Sequence, residues 1–145
     1  MNFAEYQETP IGVIEYIKHL VKDKVVYEIG AGEGILASEI AKYAKKVVAI
    51  ESNQVLGEKC IVRGIETKIG NFLEEDLSEA DIIFIFMSFV GNYALTKKLD
   101  ADNWSGTVIS HFYPLLNSMT ELRKPTETID VNLINGRFPL MIYKI

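Results

Sequence analysis

The feature that most constrains this chain is a pair of short apolar runs joined by glycines. The first run and its loop are Val25-Val26-Tyr27-Glu28-Ile29-Gly30-Ala31-Gly32-Glu33-Gly34; the second run is Val47-Val48-Ala49-Ile50-Glu51. Each run is too short for a helix and ends in an acid. Between them Ile35, Leu36, Ile40, Ala41 and Ala44 recur at helical spacing. A continuous apolar run reads as a strand buried on both faces, which is the habit of parallel sheets covered by helices. Two such strands joined by a helix form the outline of a nucleotide-type site at the carboxyl end of a parallel sheet.

The glycine spacing narrows the ligand. A dinucleotide loop has G-x-G-x-x-G, which brings backbone amides and a helix N-terminus to a pyrophosphate. Here Gly30, Gly32 and Gly34 fall as G-x-G-x-G, with Glu28 before the loop and Glu33 inside it. Carboxylates repel a diphosphate but suit a ligand with a positive end. The ammonium and sulfonium of S-adenosylmethionine meet that description. Glu51, seventeen residues past Gly34, then stands where an acid accepts hydrogen bonds from ribose hydroxyls.

Length and composition set the remaining bounds. A chain of 145 residues fits one domain, 1–145, with enough chain for a proper core. With 48% apolar residues and an ordinary charged fraction it reads as globular. The longest apolar run, Ile82 to Val90, is too short to span a bilayer. The N-terminal residues lack a basic start and apolar stretch, which predicts a cytoplasmic protein. One cysteine, Cys60, and two histidines, His19 and His111, leave no disulfide and no metal-ligand spacing. A net charge of −5 counts against nucleic acid and suits a basic partner. Composition does not distinguish a monomer from an oligomer.

Along the chain, Thr9-Pro10 is read as an N-cap and first helical residue, with Ile11, Ile14, Ile17, Leu20 and Val21 following at helical spacing. Val55 to Arg63 reads as a helix stopped by Gly64, Thr67 to Ile69 as a third strand, and Tyr93 to Leu99 as a weak helix. Ile82 to Met87 is the most apolar strand and is placed centrally; Thr107 to Ser110 is the fifth. Phe112 to Thr126, bounded by Pro114 and Pro125, is read as irregular with room for a short helix. Ile129, Val131 and Leu133 then alternate with polar residues, and Asn135-Gly136 signals a hairpin turn before Leu140, Ile142 and Ile145. Strand–helix units closed by an antiparallel hairpin predict an α/β, Rossmann-like class I methyltransferase fold. Its sheet is mostly parallel and seven-stranded, with the hairpin at its C-terminal end.

Four segments are expected to meet at the carboxyl ends of the strands. Glu28 with Gly30, Gly32 and Gly34 would face the methionine end of the cofactor. Glu51, with Ser52 and Asn53 beside it, would take the ribose. Asn71 of Gly70-Asn71-Phe72 would meet the adenine amino group, with Phe72 packed on the ring. Met87-Ser88-Phe89 would face the methyl group, and Phe89 reads either as a wall of a substrate channel or as a core or rim aromatic. The Asn/Asp-Pro-Pro-aromatic motif of enzymes that methylate exocyclic amines of bases is absent there, which argues against a base-flipping enzyme. No dedicated general base is evident, and His111, just before Tyr113, reads as a structural histidine.

These residues together resemble the small archaeal protein-lysine methyltransferases, a group related to mitochondrial lysine methyltransferases. Tyr6-Gln7-Glu8-Thr9-Pro10 is similar to that family's tyrosine-x-x-threonine-proline entry, which folds over the cofactor and shapes the lysine channel. Glu28 to Gly34, Glu51, the stretch from Gly70 to Ala80, and Gly106 to His111 match as well. Phe112, where an acid is expected after Ser110-His111, and Met87-Ser88-Phe89 depart from it. The resemblance implies methyl transfer from S-adenosylmethionine to lysine amines of basic proteins, with Tyr6, Thr9, Pro10, Ser88 and Phe89 as channel candidates. A small-metabolite methyltransferase and a non-catalytic cofactor-binding partner subunit are the alternatives.

Overall fold

A computed structural model describes residues 8–145. Nine strands appear in chain order: β1 (Val25–Ile29), β2 (Lys46–Glu51), β3 (Glu66–Ile69), β4 (Ile82–Ile85), β5 (Thr107–His111), β6 (Leu116–Ser118), β7 (Glu121–Leu122), β8 (Glu127–Leu133) and β9 (Gly136–Lys144). The helices are α1 (Ile14–Val21), α2 (Ile35–Ala41), α3 (Gln54–Val62) and α4 (Phe89–Ala101). Seven strands form one sheet in the order β3-β2-β1-β4-β5-β9-β8; β6 and β7 pair separately. The first five are parallel neighbours, whereas β9 runs antiparallel to both β5 and β8. The most apolar strand, β4, is the middle one of the seven.

The sheet order positions the site. β1 pairs with β2 on one side and β4 on the other, so the chain's winding reverses beside β1. Ile29 lies level with Ile50 and Ile85, and all three strands therefore end together. A crevice opens at such a reversal because the connections leave in opposite directions.

Strand alternation divides the core into two layers. Val26, Phe84 and Ile82 pack with Ile17 and Val21 of α1 and Leu36, Ala37 and Ile40 of α2. Tyr27, Ile29, Ile83 and Ile85 pack on the other face with Leu95 and Leu99 of α4, Trp104 and Tyr143. Each fully buried aliphatic side chain contributes about 1.5–3 kcal/mol. Glu28 belongs by alternation to the layer of Val26 and α2. It is therefore carried into the core rather than onto the surface.

Four local expectations are corrected. Pro10, not Thr9, occupies the N-cap position, and a 3₁₀ turn at Ile11–Val13 precedes α1; Thr9 uses its side chain elsewhere. α4 begins at Phe89 rather than Tyr93, because the Ser88 hydroxyl caps it by accepting the Gly91 N–H at 3.3 Å. The segment Phe112 to Thr126 holds the β6–β7 hairpin and no helix. The terminal hairpin loop is Ile134-Asn135, since Gly136 already pairs with Leu133. Among the described residues no helix is long and apolar enough to cross a membrane.

Candidate active site

The loop after β1 is a backbone structure that side chains from two other elements hold in place. Gly30, Gly32 and Gly34 have φ of +76°, +61° and +84°, a region that L side chains rarely occupy. The Gly30 N–H donates to the Ile50 carbonyl at 2.8 Å. The Gly32 N–H donates to Glu51 Oε1 at 2.8 Å, and the Asn53 N–H to Glu51 Oε2 at 2.9 Å. Cys60 of α3 donates its thiol to the Gly32 carbonyl at 3.1 Å. A Cβ on Gly34 would lie 3.0 Å from Cys60 Sγ and 3.3 Å from its Cα. Cys60 is fully buried, and burial pushes its thiol up to about 11. It serves as a packed wedge and not as a nucleophile.

The two predicted acids are placed differently. Both oxygens of Glu51 accept a backbone N–H, which fixes the carboxylate at the end of β2 while leaving lone pairs for further donors. Glu28 is 5% exposed, and its Oε2 has no hydrogen-bond partner among the described residues. Burial, reinforced by the charges of Glu8 and Glu51, holds its carboxyl well above the ordinary range. A buried carboxyl oxygen lacking a donor is costly, and a cationic donor would relieve it. Glu33 is not part of this arrangement. Its carboxylate pairs with Lys59 at 2.9 Å, which lowers its pKa, and its carbonyl accepts from Arg63 Nε at 2.9 Å. The expectation that Glu33 contributes charge toward a ligand is corrected, because α3 takes that charge.

A cavity of about 470 Å³ lies beside the loop, lined by Ile29, Gly30, Ile50, Ser52, Gly70, Asn71, Phe72 and Met87. Gly70 is tied back by its N–H to the Glu51 carbonyl at 3.0 Å. Asn71 Oδ1 accepts the Leu73 N–H at 3.0 Å, which starts a short 3₁₀ turn at Phe72–Glu74 and sets the direction of the Phe72 ring. Gly30 also lines a narrow recess of about 10 Å³ with Glu8, Thr9, Glu28, Ala31, Leu36 and Phe86. A Cβ on Gly30 would meet no protein atom within 4 Å. The loop thus presents bare backbone to open space.

A third cavity, about 290 Å³, lies on the other side of that recess and is lined by Glu8, Phe86, His111, Phe112, Tyr113, Arg137 and Phe138. His111 is its fixed point. Its Nδ1 lies 3.0 Å from Thr9 Oγ1, and its ring centroid is 4.1 Å from Phe86 and 5.8 Å from Phe138. Burial pulls the imidazole down to about 4, so it is neutral near pH 7. Phe89 meets the edge of Tyr113 at 5.2 Å, and Phe112 does so at 4.9 Å. Asn92, fully buried in α4, donates to the carbonyls of Tyr113 and Pro114 at 3.0 Å each and holds this turn on the helix.

The predicted residues therefore separate into groups. Gly30, Ser52, Asn71 and Phe72 line one crevice, Glu28 lines the recess that shares Gly30 with it, and Glu51 holds the loop that Gly32 and Gly34 shape. Thr9 lies at the recess, and Phe89 supports the aromatic cavity through Tyr113. Pro10 starts the entry to α1, Ser88 caps α4, and Tyr6 lies outside the described residues. Sequence reasoning missed Phe86, Phe138 and Glu8. The first two come from the ends of β4 and β9, and no local pattern joins them. Glu8 adjoins Thr9 and was readable only as part of the entry segment.

The crevice suits S-adenosylmethionine on the structure's own terms: an orphaned buried carboxyl oxygen, a glycine whose missing Cβ leaves open space, and an acid held at the second strand's end. Comparisons with known proteins agree. The family model described as ribosomal RNA adenine dimethylase matches residues 6–63. A protein-lysine N-methyltransferase of Saccharolobus islandicus is 31% identical, over 97% of this chain and 92% of that protein. A ribosomal RNA small subunit methyltransferase A of Koribacter versatilis is 27% identical over 62% of this chain, which spans only 31% of that protein's length. An RNA methyltransferase of Salinibacter ruber, solved with S-adenosyl-L-homocysteine, superposes with a TM-score of 0.78 at 23% identity, covering 96% of this chain and 94% of that one. Strand order, the glycine loop and near full-length likeness to the archaeal enzyme lead to one assignment. The chain belongs to the small archaeal protein-lysine methyltransferase family, class I methyltransferases that use S-adenosyl-L-methionine.

Proposed function

We propose that this protein, acting as a single domain, methylates lysine side-chain amines of proteins with broad specificity. One observation carries the reading: a cavity walled by aromatic rings adjoins the cofactor crevice and shares Glu8 and Phe86 with its recess. Such walls desolvate an aliphatic amine and lower its affinity for a proton, while leaving room for its methylene stem.

When bound, S-adenosylmethionine supplies an electrophilic methyl group on a sulfonium. In this reading Glu28 receives the cofactor's ammonium and Glu51 its ribose hydroxyls. Asn71 meets the adenine amino group, Phe72 packs on the ring, and Gly30, Gly32, Gly34 and Ser52 shape the crevice. An acceptor lysine has a solution pKa near ~10.4 and must arrive neutral. The buried aromatic surroundings supply that by desolvation, and the remaining catalysis is alignment in a dry site.

The ribosomal RNA adenine dimethylase match favours an RNA acceptor as a second reading. It ends at residue 63, before every acceptor-cavity residue except Glu8, so it bears mainly on the cofactor half. The deciding experiment supplies labelled cofactor with a basic protein extract and with RNA, then locates the label by mass spectrometry. Label on lysine residues supports the proposal. Label only in RNA or in small molecules overturns it.

A further inference from the structure

Glu8 and Phe86 are the two residues that line both the recess beneath Glu28 and the aromatic cavity. The partition an acceptor must meet is therefore one carboxylate and one ring. The ring packs against His111, 4.1 Å away in the same cavity wall, which burial keeps neutral. The carboxylate is held as well: Glu8 Oε1 accepts the Glu33 N–H of the glycine loop at 2.9 Å. The other charged group of the cavity, Arg137, belongs to β9 and pairs with Asp130 of β8. Glu8 thus places a carboxyl group where the cavity adjoins the recess.

We propose that Glu8 receives the charged amine of the incoming side chain and makes this site select a cationic acceptor over a neutral one. The proposal rests on the lysine reading above and adds a named residue to it. A carboxylate beside an ammonium stabilises the charged form, so Glu8 improves capture and delays loss of the proton. After the proton leaves to solvent, the amine lone pair forms the new N–C bond as the S–C bond breaks, its electrons remaining on sulfur. Glu8 is therefore a capture residue and not the base.

The two roles have opposite kinetic signs, which makes them separable. Glu8→Gln keeps an oxygen to accept the Glu33 N–H and removes only the charge; Glu8→Ala removes both. The test measures binding of a lysine peptide and its norleucine counterpart to the protein loaded with S-adenosylhomocysteine, followed by pH profiles of KM and kcat on the lysine peptide. Wild type is expected to prefer lysine. Glu8→Gln is expected to lose roughly ten- to hundredfold of that preference, as for a hydrogen bond to a charged group. Its KM should rise while the ascending limb of kcat moves to lower pH.

If wild type does not distinguish lysine from norleucine, the lysine reading fails and the proposal with it. If wild type prefers lysine and Glu8→Gln keeps that preference and pH profile, the lysine reading stands and the assignment of Glu8 falls. A Glu8→Gln variant that no longer binds S-adenosylhomocysteine would assign Glu8 to the loop alone and also overturn the proposal.

Discussion

Thr9 Oγ1 and His111 Nδ1 lie 3.0 Å apart across 102 residues of sequence, joining the entry segment to the end of β5. The imidazole ring is buried between Phe86 and Phe138. Burial lowers the His111 pKa from 6.5 to about 4, so between those values the unfolded chain binds more protons than the folded one. Stability is then fully present above about pH 6.5 and is lost as pH falls toward 4. At about 1.4 kcal/mol per unit the loss reaches roughly 3 kcal/mol. Urea unfolding of wild type between pH 4 and 7 should show this slope, and His111→Gln should flatten it.

Glu28 has the opposite sign. Its folded pKa is raised, so its contribution is fully present below its unfolded value and declines as pH rises through the folded one. Glu28→Gln should therefore raise the Tm of the ligand-free protein at pH 8 relative to wild type and leave it unchanged near pH 4. In the proposed reading the variant also loses at least tenfold in cofactor affinity. Calorimetry in buffers of differing ionisation enthalpy should show wild type releasing a proton when the cofactor binds. Binding without proton release would remove Glu28 from the ammonium's environment.

Two glycines in the same backbone region should respond differently to alanine. Gly64 has φ of +83° with no atom within 4 Å of an added Cβ, so Gly64→Ala should cost about 1 kcal/mol for the left-handed backbone alone. Gly34, at +84°, would also press a Cβ against the buried Cys60. Gly34→Ala should cost about 2 kcal/mol or more and weaken cofactor binding. Equal costs in denaturant titrations would show that Cys60 yields freely.

The cofactor side was largely legible because its signals are local. Glycine spacing, Glu28 next to the end of one strand and Glu51 at the end of another all fall within 27 residues. The central place of β4 followed from its apolarity. The acceptor side was not legible, because Phe86, Tyr113 and Phe138 meet only through the pairing of β4, β5 and β9. Glu33 misled for the same reason: its partner Lys59 lies 26 residues away. The β6–β7 hairpin has strands of three and two residues, too short for alternation to register. α4 mixes polar and apolar residues around its circumference, so only its capping serine marked its start.

Asn92 offers a test of that division. Its amide holds the Tyr113–Pro114 turn, while its Oδ1 has no partner. Asn92→Ala should leave the Pro114 carbonyl without this donor and the Tyr113 carbonyl with only the Ser110 hydroxyl, and destabilise by about 1–3 kcal/mol. Cofactor affinity should change less than twofold, whereas KM for the acceptor should rise. A parallel loss of cofactor binding would show that the turn also supports the crevice.

The sheet order has an evolutionary consequence. In the proposed reading the cofactor crevice is lined mainly from the ends of β1 and β2 and the loop after β3, with Met87 after β4, whereas the acceptor walls come from the ends of β4, β5 and β9, with Glu8 at the seam. On that reading, a change at the ends of β5 or β9 alters the aromatic cavity without touching the glycine loop. If the proposed division holds, one acceptor could be exchanged for another by rewriting the C-terminal strands, with the methyl donor unchanged.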